Sequence, residues 1–500
     1  MEGHTSGVPQ HMEQTKKLQL NMTEGRLLGK IVIFILPLIA SNLLQVMYNA
    51  ADMMVVGLSS EKNAVGAIGT TGSFINLTLN ILMGCAVGTN IFLARNIGAK
   101  NAEEASRTVH TSLCLALILG FVSGAFGFSI SRPLLRAIGT EDRLLDLATL
   151  YTRIYFLGLP FVSITNYCIA ILRANGDTRT PLKVLSMTGV LNVLLNLFFV
   201  MVCHLSVEGV ALATVAANAV SAVVLVLHLT RREGYCRLSF SKLKIHRKTL
   251  LAILRLGIPA GIHGALFSFS NLLIQSSVLQ VNNAVTPDGA LFEPVVAGNS
   301  ACINIEGFIS TAIDGVYQGA LTFTGQNLGA RKPERIRRVM LVCYLLTTGL
   351  SLFMSGAIFL LRHPLLALYG VVEGAPGTLD AIAWSTVMTR MKICTLTYFL
   401  LGLMNVGNGI LRGLGYSLVS TIIGLLGTCA FRVVWLNTAF VKYPTLEVVY
   451  LSYPISWIST AIVAFTVGYI ILSCIIRKTR LERAQEVTVE VPESPAPCGA

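Results

Sequence analysis

Long apolar runs recur along almost the whole chain and are separated by short polar segments. Each run reaches the ~20 residues that a helix needs to cross the hydrocarbon core of a bilayer. The pattern predicts an all-α polytopic membrane protein with twelve spans. We place the spans at 31–57, 64–94, 109–131, 148–172, 181–203, 207–230, 250–280, 294–328, 339–361, 384–411, 417–441 and 447–476. The first span is too long for a signal peptide and lacks a small-residue cleavage site, so we expect it to be retained.

The two halves of the chain resemble each other. GTNIFLARNIGAKNAEEASR (88–107) is similar to GALTFTGQNLGARKPERIRR (319–338), and ILRANG (171–176) is similar to ILRGLG (410–415). Each half contains six spans, an even number, so both halves insert in the same orientation. The sequence therefore predicts two six-helix lobes around a central cavity. The alternative is a membrane scaffold protein with an even number of spans, in which the similarity of the halves is only the remnant of a duplication.

This repeat divides the chain into five parts. They are a cytoplasmic N-terminal segment (1–30), an N-lobe (31–230), a basic cytoplasmic linker (231–249), a C-lobe (250–476) and a cytoplasmic tail predicted to be disordered (477–500).

Composition supports the membrane assignment, because 53% of residues are hydrophobic and only 13% are charged, about half the charged share of soluble domains. The net charge is +13, and its positive residues cluster at 231–248, 331–338 and 477–483. Short basic loops face the cytoplasm, so we expect both termini there. No basic domain of soluble character is present, so we expect no nucleic-acid partner. The eleven cysteines occur without CxxC pairs, and we expect no metal site.

Asp52 is a carboxylate inside the first apolar span. Tyr48, Asn49 and Asp52 share one helical face, and a polar face in a span points toward protein or water. Burial favours a protonated carboxyl group, whereas neighbouring amide and phenol groups could instead help it hold Na⁺. Either interpretation makes Asp52 a coupling-ion site. A structural aspartate that fixes helix packing is the alternative. Asn192 and Asn196, four residues apart in span 5, could hydrogen-bond to Asp52 or act as interhelical contacts.

Two prolines occupy corresponding positions in spans 1 and 7. Pro37 in ILPLIASN (35–42) matches Pro259 in LGIPAGIH (256–263). A proline inside a helix removes a backbone hydrogen bond and favours a kink. A bend of span 1 that depends on protonation and a static kink are equally compatible with the sequence.

Two acids, Glu306 and Asp314, lie in span 8, a little over two turns apart. Two uncompensated carboxylates are too costly for lipid exposure, so we expect them to line the cavity. There they could attract a cationic substrate or carry a second proton. Arg432 is predicted to be the one basic residue deep in the C-lobe. Its pairing with Glu306 or Asp314 is the structural alternative.

No phosphate-binding loop, nucleophile elbow or HExxH motif is present in the sequence, and each of these would have indicated an enzyme or an ATPase. We therefore expect no catalytic residue, no metal and no cofactor. Transport would be driven by a gradient of H⁺ or Na⁺.

Three stretches carry a family resemblance: LPLIASNLLQVMYNAADMMVVG, ARNIGAKNAEEASR with its copy GQNLGARKPERIRR, and ILRANGDTRTP. The chain resembles the multidrug and toxic compound extrusion (MATE) family, in its bacterial subgroup with an acid in span 1. The resemblance implies two six-helix bundles in a V and antiport of H⁺ or Na⁺ against organic cations or drugs. It also implies the coupling role for Asp52, with Tyr48 and Pro37 beside it.

The chain departs from the family pattern in two places. The subgroup often has a second acid in span 5, where this chain has Asn196, which favours H⁺ over Na⁺. The position equivalent to Asp52 in the second half is Ile274, so the lobes are not equivalent. Another branch of the family uses C-lobe acids, and here Glu306 and Asp314 could take that part.

Together these observations predict a monomeric, multi-pass antiporter of the bacterial cytoplasmic membrane. Its partners would be membrane lipid and a small amphipathic or cationic substrate. A lipid-linked saccharide flippase of the same superfamily is the alternative. Such flippases often use clustered cavity arginines, and here only Arg432 is predicted to lie deep, with Arg390 and Lys392 near the outer end of span 10. A membrane enzyme or receptor is a third hypothesis, without a supporting motif.

Overall fold

The structure is a computed structural model that describes residues 20–57, 64–137, 139–234, 236–286 and 292–489. Over these ranges the chain is helical, with no strand. The helices of spans 1 to 6 are Leu27–Gly57, Ala64–Gly98, Ala102–Ala137, the pair Asp142–Leu157 and Leu159–Ala174, Arg179–Leu197, and Val207–Arg231. Those of spans 7 to 12 are Arg247–Val285, Pro294–Gly329, Pro333–Leu360, the pair Leu379–Ile393 and Tyr398–Gly413, the pair Ser417–Gly424 and Phe431–Trp435, and Leu446–Val489.

Within the described residues, ten helices are long and apolar enough to cross a membrane, and the bent pair of span 4 gives an eleventh. Span 8 contains 36 residues, about 54 Å of helix, and is less apolar because it carries several asparagine and glutamine residues in addition to the two acids. The prediction of an all-α membrane protein with twelve spans is confirmed.

Several spans are locally irregular. The helices of span 4 meet at 49°, because Pro160 in the first turn of the second helix has no N–H to continue the first. Span 10 is interrupted by the 3₁₀ turn Thr395–Thr397. Turns of π-helix occur at Phe198–Val202, Leu425–Ala430 and Leu436–Phe440. Span 1 and span 7, in contrast, continue without a break through Pro37 and Pro259.

The last helix corrects the prediction of a disordered tail, since it continues from span 12 to Val489. Arg480 and Arg483 lie 3.4 and 3.7 Å from a carboxylate oxygen of Glu334. Lys478 and Glu482 form an i,i+4 ion pair at 3.9 Å, of the kind that supports a helix. These contacts explain why the charged segment stays helical. Residues 490–500 and 1–19 lie outside the described residues.

The two halves pack together most extensively along spans 2 and 7. Gly84 and Gly88 face Gly257 and Gly261, and a Cβ on either glycine of span 2 would overlap backbone atoms of span 7. Small residues four apart let helix backbones approach closely in a membrane. The two glycine pairs are visible in the sequence as GxxxG motifs, and they fix where the halves touch.

The repeated motif meets its own copy at a second crossing. A Cβ on Gly98 would overlap the Gln326 carbonyl oxygen, and a Cβ on Gly329 would overlap the Arg95 carbonyl oxygen. Gln326 and Arg95 occupy equivalent positions in the two copies. Each copy therefore places its glycine against the equivalent carbonyl of the other copy. We call this contact the paired turn.

The paired turn lies on the membrane face that also holds both described chain ends. Asn327 donates a hydrogen bond to the Met22 carbonyl at 3.3 Å, and Arg335 donates to the Glu24 carbonyl at 2.7 Å. The helix end near Arg480 contacts Glu334 on the same face. We refer to it as the terminal face.

The basic linker between the halves is anchored to the first half. Arg232 forms a fully buried ion pair with Asp177 at 3.0 Å. The Ser239 backbone N–H donates to His110 Nε2 at 3.1 Å. The linker is therefore attached to span 3 and to the turn that precedes span 5.

Candidate functional site

Asp52 lies in a cavity inside the first half, between spans 1, 5 and 6. The cavity has a volume of about 100 Å³, well below the ~300 Å³ of a small drug-binding pocket. Most of its lining is polar: Ser41, Gln45, Tyr48, Asn49, Asp52, Thr188, Asn192, Thr214, Asn218 and Ser221. In this conformation the cavity suits water or a small ion.

Amide groups connect Asp52 to two neighbouring spans. Asn196 Nδ2 donates to Asp52 Oδ1 at 2.5 Å and lies 3.4 Å from Asn192 Oδ1. Asn192 Nδ2 in turn donates to Thr214 Oγ1 of span 6 at 3.4 Å. No basic side chain forms an ion pair with Asp52 in the described part of the chain. The carboxylate can therefore take up a proton or a cation without displacing a salt bridge.

Tyr48 and Asn49 have different places in this cavity. The Tyr48 hydroxyl donates to the Ser186 carbonyl at 3.2 Å. Its ring packs against Gly189, where a Cβ would overlap the ring. Tyr48 thus attaches span 1 to span 5 four residues before Asp52. Asn49 is exposed and lines the cavity, and the described residues show no hydrogen bond between it and Asp52.

The two prolines carry carbonyls that are bound by side-chain hydroxyls. Ser41 Oγ donates to the Pro37 carbonyl, and Thr421 Oγ1 of span 11 donates to the Pro259 carbonyl, both at 2.8 Å. The first bond stays within its own helix, whereas the second links two helices. A change of bend at Pro37 with protonation stays a prediction.

Asp314 lies between the two halves. It lines a cavity of about 110 Å³ together with Arg173 and Gln318. Asn42 Nδ2 of span 1 donates to Asp314 Oδ2 at 3.4 Å. Arg173 belongs to the ILRANG motif, and Arg412 occupies the matching position in ILRGLG. Asp314 is therefore the acid of span 8 that lines the cavity.

Glu306 is placed differently from the prediction. It is fully buried in the second half, where Arg390 donates to Glu306 Oε2 from Nη2 at 2.7 Å and from Nε at 3.1 Å. Thr395 Oγ1 donates to Glu306 Oε1 at 2.8 Å. The expectation of an uncompensated carboxylate lining the cavity is wrong for Glu306. Arg390 is buried rather than near the outer end of span 10, because the helix begins at Leu379 and continues past it.

The sequence model of the MatE family matches the chain twice, over residues 37–198 and 259–436. The chain belongs to the MatE family. Its two matches coincide with the two halves of the fold.

Several relatives of this MatE chain are known. "Probable multidrug resistance protein YoeA" of Bacillus subtilis (strain 168) is 26% identical over 436 residues, which cover 84% of this chain and 89% of YoeA. "Multidrug export protein MepA" of Staphylococcus aureus (strain NCTC 8325 / PS 47) is 21% identical over 394 residues, 79% of this chain and 83% of MepA.

The fold matches a solved structure described as the "Outward-facing conformation of a multidrug resistance MATE family transporter of the MOP superfamily". The TM-score is 0.82 at 23% identity, and the match covers 92% of this chain and 99% of that one. This likeness establishes the fold of the MatE chain.

Arg432 of this MatE protein pairs with neither acid of span 8. It is fully buried, with Nη1 donating to Asn271 Oδ1 at 3.1 Å and Nε donating to Ser456 Oγ at 3.2 Å. Its guanidinium lies 4.4 Å from the centroid of the Tyr453 ring, a cation–π distance. The structural alternative, in which Arg432 pairs with Glu306 or Asp314, is not observed, because aromatic and neutral polar groups surround the guanidinium.

Arg432 is also not the one deep basic residue of the second half. Arg390 and Arg412 are buried as well, and Arg412 Nη1 donates to the Tyr317 hydroxyl at 2.6 Å. The signal that sequence reasoning missed for Arg412 is its place in the repeat. Arg173 of the first half has the same position in its own copy, and it lines the cavity of Asp314.

Proposed function

We propose that this MatE protein is a secondary antiporter that exports small amphipathic, cationic molecules in exchange for H⁺, with Na⁺ as the alternative ion. Asp52 is the coupling site. The observation that carries this proposal is a carboxylate without a basic partner among the described residues, held by one amide in a water-sized polar cavity inside a membrane span. The relatives named above are multidrug resistance and export proteins, which supports a transport function.

The geometry suggests how ion binding reaches the substrate cavity. Gln45 and Asn218 line both the Asp52 cavity and the cavity of Asp314. Span 1 carries Asp52 and, ten residues earlier, Asn42, which donates to Asp314. A proton on Asp52 removes the charge that the Asn196 amide binds and weakens the attachment of span 1 to span 5. Movement of span 1 then alters the Asn42–Asp314 contact and the shape of the cavity between the halves.

The choice between H⁺ and Na⁺ depends on the ligands around Asp52. A single carboxylate favours H⁺, because Asn196 stands where a second acid would help to hold Na⁺. One observation supports Na⁺: the buried Asn196 Oδ1 has no hydrogen-bond partner among the described residues, and such an oxygen could bind a hard cation. The protein would work as a monomer in the bacterial cytoplasmic membrane, with the basic terminal face in the cytoplasm.

Dye efflux from proteoliposomes tests this proposal. Wild type, Asp52→Asn and the exposed-acid control Asp142→Asn would each be run under an imposed pH gradient and, separately, an imposed Na⁺ gradient. We expect one gradient to drive a fluorescent cationic dye in the wild type and the control, and Asp52→Asn to abolish the coupled flux while remaining folded. Normal coupled flux in Asp52→Asn would contradict the coupling role and make Asp314 the next acid to test.

A lipid-linked saccharide flippase is the second candidate. The observation in its favour is that Arg173 lines the cavity between the halves, where it could bind a pyrophosphate. Asp314 in the same cavity opposes an anionic ligand. Wild-type protein that moves no dye under either gradient, and scrambles a fluorescent polyprenyl-pyrophosphate saccharide, would favour the flippase.

A further inference from the structure

A groove on the terminal face lies between the two halves, with lining residues from spans 2, 7, 10 and 12. Its volume is about 800 Å³, and it continues into a recess of about 560 Å³. The two share Leu251, Arg255, Gly415 and Tyr416 in their lining, so they adjoin each other. This space is separate from the cavities of Asp52 and Asp314. We call the whole space the terminal groove.

One end of the terminal groove is strongly basic. Arg95 near the end of span 2, Arg255 of span 7 and Lys478 beyond span 12 line it, together with the single acid Glu482. Lys478 is paired with Glu482 at 3.9 Å. Arg95 and Arg255 are exposed, and in the described part of the chain neither forms an ion pair. Two unpaired guanidinium groups in one groove suit the oxygens of a phosphate.

The other end of the terminal groove is apolar and faces the bilayer. Leu254, Ile258, Leu418 and Val419 line the recess, and Ile258 and Leu418 are 47% and 59% exposed. Arg255 lies eight residues into span 7, about 12 Å along the helix, close to headgroup depth. A long basic side chain at this depth extends toward the interface. The groove thus presents charge at headgroup level and apolar surface below it.

We propose that the terminal groove binds one anionic phospholipid of the phosphatidylglycerol class from the leaflet at the terminal face. Arg95 and Arg255 hold the headgroup phosphate, and an acyl chain lies along Leu254 and Ile258. Basic pockets between membrane helices are known to select anionic headgroups. Arg95 comes from the first half and Arg255 from the second, so the bound lipid contacts both. The proposal does not depend on the direction of transport or on the coupling ion.

Native mass spectrometry of the full chain in detergent tests the headgroup contact. Dioleoylphosphatidylglycerol is titrated against dioleoylphosphatidylcholine, with wild type, Arg95→Gln/Arg255→Gln and the charge-matched control Arg337→Gln/Arg477→Gln, whose residues line another cavity on the same face. We expect the wild type and the control to retain one phosphatidylglycerol preferentially. The groove variant should bind it about thirtyfold more weakly. Equal retention of the two lipids by wild type, or equal weakening in both variants, would overturn the proposal.

A second pair of variants separates a lipid from a soluble phosphate. Ile258→Ser/Leu418→Ser keeps both arginines and should weaken phosphatidylglycerol binding, whereas glycerol phosphate should fail to displace the lipid from wild type. Displacement by glycerol phosphate, with unchanged binding in the serine variant, would identify a soluble anion site and overturn the lipid proposal. Arg95→Lys/Arg255→Lys preserves the charge and controls for misfolding. It should retain more lipid than the glutamine variant, and equal loss would contradict the electrostatic argument.

Discussion

Glu306 and Arg390 form a buried ion pair. Replacing one of the two residues should destabilise the protein at least as much as replacing both. Arg390 makes two hydrogen bonds to one Glu306 oxygen, and Thr395 donates to the other. Removing one partner leaves an uncompensated charge in the protein interior, at a cost of about 3–5 kcal/mol. We therefore expect Glu306→Gln and Arg390→Met each to destabilise strongly. The double variant, which leaves neither charge, should cost no more than one single variant.

The assay is thermal unfolding in detergent, followed by the loss of monodisperse protein at fixed protein concentration. With ~2–4 °C per kcal/mol for a folding unit of ~150–250 residues, each single variant should lower Tm by roughly 6–20 °C. The exposed pair Arg132–Asp146, at 3.0 Å, provides the control. Its single variants should change stability by less than about 1 kcal/mol. The reasoning is refuted if the double variant loses as much as the two single variants combined, or if Arg390→Met leaves Tm unchanged.

Three further predictions concern close packing and burial. Gly98→Ala places a methyl group on a carbonyl oxygen of span 8 and should destabilise the protein by about 1–3 kcal/mol, measured as a lower Tm. Gly29→Ala is the control, because no atom lies near a Cβ at that position, and it should leave Tm unchanged. Gly189→Ala displaces the Tyr48 ring from span 5 and should reduce gradient-driven dye flux without loss of monodisperse protein; unchanged flux would contradict the role of that contact. Asp177→Asn leaves the buried linker arginine unpaired and should destabilise by about 3–5 kcal/mol, again seen in Tm.

The positions of the spans could be predicted from the sequence, because hydropathy reports directly on contact with lipid. The repeat could be predicted too, since its copies have kept Gly98 and Gly329 at the paired turn. The contact of Asn196 with Asp52 was among the alternatives that the four-residue spacing of Asn192 and Asn196 suggested. Its role in coupling stays a prediction.

The partners of the buried charges could not be predicted. Glu306 and Arg390 are far apart in sequence, and their pairing depends on the rotation of spans 8 and 10, which hydropathy does not report. An acidic partner for Arg432 was one alternative, but Tyr453 and Asn271 contact it instead. The helical tail was missed for a related reason. Its composition predicts disorder when taken alone, and its ion pairs with Glu334 come from a distant helix.

The paired turn has the form of a symmetric dimer interface inside one chain. Each copy offers a glycine to the other and receives a backbone carbonyl from it, as in a contact across a two-fold axis. The side chains of the two copies nevertheless differ in their partners. Asn327 binds the N-terminal segment, while the Nδ2 of its counterpart Asn96 has no hydrogen-bond partner among the described residues. The halves differ in the same way at Asp52 and its counterpart Ile274, so a symmetric backbone contact joins two halves whose polar side chains are not equivalent.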